Sequence, residues 1–91
     1  MRKVENVRIS ASVDSVPYPY TLHGDFMENF PKMEGGNHDL ARQLKEELGD
    51  MRVKFLDFDP EYSQFYAYGK MKDLLYLVGI IARLEDEGWM Q

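Results

Sequence analysis

Residues 65–87 read FYAYGKMKDLLYLVGIIARLEDE, and the change of period within them decides the fold. Phe65 to Tyr68 are aromatic or small and end at Gly69, the composition of a strand and its stop. From Met71 to Glu87 apolar residues recur at positions 71, 74, 75, 78, 81 and 82, the three-and-four spacing of one helix face. Leu77, Ile80 and Leu84 form a second stripe, rotated by roughly 100° from the first. So wide an apolar arc needs more than one neighbour, either another helix of the same chain or a second molecule.

Moving toward the N-terminus, Tyr62 to Tyr68 reads as a strand and Asp59-Pro60-Glu61 as a turn with proline at its second position, although Asp before Pro also suits a helix start. Met51 to Phe58 reads as another strand, with Met51, Val53 and Phe55 on one face and Leu56 and Phe58 on the other. Before it lies a helix. Gly35-Gly36-Asn37 introduces it with Asn37 as N-cap, Leu40, Ala41, Leu44 and Leu48 form its apolar stripe, and Gly49 stops it. Arg42 and Glu46 are spaced for a surface pair.

Residues 15–36 have no period and are punctuated by Pro17, Pro19, Gly24, Pro31, Gly35 and Gly36, which reads as a long irregular loop. Tyr18 to His23 offers at most a short edge strand. Ahead of the loop, Val7, Ile9, Ala11 and Val13 alternate with Arg8, Ser10, Ser12 and Asp14, the pattern of a strand with one wet face. The expected order is βαββα in one α+β domain over residues 1–91. It is most economically a small two-layer sandwich, an antiparallel sheet with two helices on one face. That order resembles the ferredoxin-like arrangement with its last strand missing, in order of elements only, and it leaves the first strand at a sheet edge.

The 44% apolar content is that of a folding chain, and the net charge is −5. An acidic total repels a phosphate backbone, so nucleic acid is a disfavoured partner. The chain has no cysteine, which removes disulfides, thiolate nucleophiles and cysteine metal sites. Glu5, Asn6 and Arg8 interrupt any leader-like run, and Lys72, Asp73 and Arg83 break the longest apolar segment, so the expectation is a cytoplasmic protein with no membrane span.

Chemistry-bearing residues are sparse. His23 and Asp25, with His38 and Asp39, carry the ligand types for a divalent metal or an oriented general base, at a spacing that matches no zinc pattern. Gly35, Gly36 and Asn37 ahead of a helix offer backbone N–H groups to an anion, without the lysine of a P-loop. No serine sits in a nucleophile elbow, and no cofactor is implied. Phe55, Phe58, Tyr62, Phe65, Tyr66 and Tyr68 crowd two strands. Alternation sends Phe58 and some tyrosines to an open sheet face, where they can anchor a protein or stack single-stranded RNA. Glu85-Asp86-Glu87 ends the last helix, and Trp89 after it either folds back or anchors an interface. The reading that unites these features is a small acidic regulatory domain. It would bind a protein partner and self-associate as a dimer through Leu77, Ile80, Leu84, Trp89, Phe58, Tyr66 or Tyr68. The alternatives are a metal- or phosphate-dependent enzyme and a single-stranded RNA binder.

Overall fold

Two helices cover one face of a four-stranded antiparallel sheet in a computed structural model that describes residues 7–11 and 18–91. The elements are β1 (Val7–Ala11), β2 (Tyr20–Gly24), α1 (Asn37–Val53), β3 (Asp57–Phe58), β4 (Phe65–Gly69) and α2 (Met71–Asp86). The sheet order is β1-β2-β4-β3, with β1 at an edge, paired with β2 rather than with the strand before α2. Ser12, Val13 and Asp14 of the expected first strand, and residues 15–17 of the expected loop, lie outside the described residues.

Tyr20 to Gly24 is an internal strand, not an edge segment. It pairs with β1 through Ile9↔Leu22 and with β4 through Leu22↔Ala67. The order is thus ββαββα. Pro17 and Pro19 obscure this strand in the sequence, yet both precede it and remove no ladder donor from within it. Register places Leu22, Phe65 and Ala67 on the covered face, all fully buried. Leu40, Leu44, Leu74, Leu77 and Ile81 meet them in the core.

The segment after β2 is a core element. Phe26, Phe30 and Met33 are buried at helix-like spacing, and the Phe30 N–H donates to the Phe26 carbonyl at 3.0 Å. Phe26 meets Phe65 edge to face at 5.7 Å, and Trp89 meets Phe30 at 5.1 Å. The tail folds back over this turn, where Lys32 N–H donates to the Met90 carbonyl.

Two element boundaries differ from expectation. Helix α1 breaks at Gly49, which adopts φ 73 and ψ 174, but a further helical turn follows to Val53. Asp50 suits a helix start, and Met51 and Arg52 are good helix formers, so local preference outweighs the strand-like alternation of residues 51–58. Only Asp57 and Phe58 remain as strand. The β4 strand runs from Phe65, while residues 59–64 form the turn that returns the chain, with Asp59 N–H on the Tyr66 carbonyl and Glu61 N–H on the Gln64 carbonyl. Arg42 pairs with Asp39 at 2.6 Å rather than with Glu46.

Candidate functional site

The second stripe of α2 is used inside the chain. Leu77 and Leu84 are buried, and Ile80 is 8% exposed, so they offer no surface to a second molecule. Phe58 pairs with Ala67 on the helix-covered face and meets Phe65 edge to face at 6.0 Å, with the Lys45 ammonium over its ring, and is therefore not on the open face. Trp89 is half-buried against Phe30.

Tyr66 and Tyr68 do lie on the open face. Tyr66 stacks on His23 with ring centroids 5.9 Å apart, and Arg8 and Ser10 continue the same face onto β1. Tyr68 stands between Thr21 and Asp57. Burial raises its hydroxyl pKa above the ordinary 10.0, and Asp59, Tyr66 and Asp57 raise it further. Asp57 and Asp59 beside Tyr68 put negative charge at this end of the face, which disfavours an RNA phosphate there.

The His and Asp candidates are dispersed into structural roles. Asp25 receives the Asn37 amide at 3.0 Å and the Met27 N–H at 3.1 Å, while Asp39 accepts from the Gly35 N–H at 2.9 Å and pairs with Arg42. His23 lies against Tyr66, and His38 is exposed on the first turn of α1. Among the described residues no three His, Asp or Glu side chains converge on a metal position.

The anion candidates are likewise committed. Gly36 N–H donates to the Met33 carbonyl and Asn37 N–H to the Tyr62 carbonyl, so these amides already have acceptors. Gly36, not Asn37, is the N-cap, with φ 60 and no side-chain cap bond. Asn37 begins the helix and turns inward. Its Oδ1 accepts from Phe26 N–H at 3.1 Å, and its Nδ2 donates to Asp25 and, at 3.0 Å, to the Tyr62 carbonyl.

A different region is left open. The end of α1 and the start of α2 bound a cleft of about 300 Å³ lined by Arg52, Phe55, Lys70, Lys72 and Asp73. The Arg52 guanidinium lies over the Tyr76 ring, 4.3 Å from its centre, and ties the two helices together at this end. Phe55 is 52% exposed, Leu75 54% and Tyr76 44%, so large apolar surface surrounds the cations. Next to Lys70, Gly69 packs closely on Leu56: a Cβ there would sit 2.6 Å from the Leu56 side chain. The sequence lists these residues but not their meeting, because they come from segments about twenty positions apart.

Comparison with known protein families, curated proteins and solved structures returns no match. Among the described residues, no helix is long and apolar enough to cross a membrane.

Proposed function

We propose that this chain is a small regulatory domain that works by binding another protein, and that the surface it uses is the aromatic and basic end formed by α1 and α2. The observation that carries this reading is the exposure of Phe55, Leu75 and Tyr76 beside Arg52. Aromatics with arginine are the side chains that anchor protein interfaces, and large exposed apolar patches on a small domain mark contact sites. A cytoplasmic setting fits the cysteine-free composition. Self-association through the same patch is the second arm of the proposal, replacing the Leu77 stripe.

The sheet order gives the scaffold for this reading. Strands β2, β4 and β3 lie side by side in antiparallel pairs with α1 between β2 and β3, as in a ferredoxin-like unit, and β1 occupies the edge where that arrangement places its last strand. An RNA-binding role on the open face is disfavoured by Asp57 and Asp59 beside Tyr68. A metal-dependent enzyme finds little support, since among the described residues no three His, Asp or Glu side chains converge.

The test pairs wild type with the Phe55→Glu and Leu75→Glu variants in affinity capture from cell extract, with solution mass measured over a concentration series. The expected outcome is a discrete captured protein, or a concentration-dependent dimer, that both variants lose while keeping their helical circular dichroism. Neither capture nor association by folded wild type sinks the reading.

A further inference from the structure

We infer that the cleft between the end of α1 and the start of α2 docks a carboxylate-rich, acidic segment of a protein partner. The inference rests on the protein-binding reading above and adds the chemistry of the partner.

Three cations line the cleft against one carboxylate, Asp73, in a chain whose total charge is −5. Two other arginines are neutralised locally: Arg42 by Asp39, and Arg83 by Glu47 and Glu87. Arg52, Lys70 and Lys72 make no ion pair among the described residues. The two lysines also stand at the wrong end of a helix. Lys70 is the N-cap of α2 and Lys72 lies in its first turn, where the macrodipole is already positive. Positive charge is therefore in excess in a concave place where Asp73 is the one lining carboxylate, and an incoming carboxylate balances it.

The apolar rim narrows the choice of anion. Phe55 lines the cleft itself, and Tyr76 is held beside it under Arg52. A segment that alternates carboxylates with an apolar side chain satisfies both parts, as in acidic-motif recognition by basic clusters. A long polyanion fits less well. Its continuous charge would extend beyond the three cations over a chain of net charge −5, whereas a short segment stays within a Debye length, about 8–10 Å, of them.

The test is an amide NMR titration with the acetylated and amidated peptide Glu-Glu-Leu-Glu-Glu at low salt, beside its Gln-Gln-Leu-Gln-Gln counterpart and inorganic phosphate. Expected are shifts confined to residues 52–56 and 69–76 with the acidic peptide alone. Its Kd should rise about tenfold or more in the Lys70→Glu, Lys72→Glu double variant, with the same direction in the milder Lys70→Gln, Lys72→Gln pair and no change in Arg42→Glu. The inference is overturned by the absence of shifts at millimolar peptide, by equal binding of the glutamine peptide, by affinity indifferent to charge reversal, or by phosphate reproducing the shifts. The last outcome would define a small-anion site. Its failure separates from that of the broader reading: a partner captured equally by wild type and the double variant sinks the cleft and keeps protein binding, whereas no capture by wild type sinks protein binding itself.

Discussion

The buried side chain of Asn37 accepts a hydrogen bond at 3.1 Å from the backbone N–H of Phe26, eleven positions earlier in the chain. The same side chain donates to Asp25 and to the Tyr62 carbonyl, so one amide joins the turn after β2, the start of α1 and the β3–β4 connection. No buried side-chain polar atom among the described residues lacks a partner, and Asn37 is the one buried polar side chain in that core. Removing it leaves the buried Phe26 N–H without its acceptor, while the Tyr62 carbonyl keeps the Asn37 backbone N–H and Asp25 keeps the Met27 N–H.

Asn37→Ala is expected to destabilise the fold by about 1–3 kcal/mol, because the buried Phe26 N–H loses its acceptor. Urea denaturation measures it. A loss below about 0.5 kcal/mol, the range of an ordinary surface change, would mean that the amide does not join the three segments.

Two glycines separate backbone strain from collision. Gly36 and Gly49 both have positive φ, at 60 and 73, but a Cβ on Gly36 would lie 2.3 Å from the Tyr62 carbonyl oxygen while one on Gly49 meets nothing within 4 Å. Gly49→Ala should cost about 1–3 kcal/mol from strain alone, and Gly36→Ala distinctly more. Equal losses in thermal melts would contradict the close approach at Gly36.

Gly79 sits inside α2 with open space where a Cβ would go. Gly79→Ala should therefore stabilise the protein by about 0.5–1 kcal/mol through helix propensity and reduced freedom of the unfolded chain. A lower melting temperature would show that the helix surface there is occupied.

Lys70→Glu and Lys72→Glu replace a charge that opposes the α2 macrodipole with one that favours it, for a gain of about 0.3–1 kcal/mol each that salt should screen. Urea melts at low and high sodium chloride check this. An enzyme or binding site that gains stability when its charges are reversed has placed those charges for something other than folding.

Tyr68 predicts an alkaline limit. Its hydroxyl titrates above the ordinary 10.0 in the folded state, so the folded protein holds a proton that the unfolded chain releases. The contribution is whole below pH 10 and is lost as the pH rises from there through the folded-state pKa. Tyr68→Phe should flatten that decline, and tyrosinate absorbance should show one late-titrating phenol in wild type that the variant lacks.

What was legible in the sequence was what local period encodes. The strand and helix from Phe65 to Glu87 and the Leu40, Leu44 and Leu48 stripe follow directly from spacing. Val7–Ala11 was legible as a strand from its alternation, but its edge position comes from pairing with β2, whose residues read as loop because of the prolines ahead of it. Phe26, Phe30 and Met33 also have helical spacing, but Pro31 and the glycines around them suggest a loop, and only tertiary packing shows that this turn completes the core. Asn37 was legible as a helix-start residue but not as an inward hub, since a cap and a buried amide share one sequence pattern. The cleft was invisible for a further reason: Arg52 and Lys72 become neighbours only after the sheet has brought the ends of α1 and α2 together.

The central pairing of Leu22 with Ala67 has a consequence for the chain as it is made. Everything from β2 to β3 is synthesised before the strand and helix that cover it. Leu22, Phe26 and Phe30 therefore wait, wet and apolar, for a partner encoded last. Emergence of residues 65 to 84 is the interval in which this protein passes from a sticky nascent chain to a closed one, and it is there that a chaperone would have its largest effect.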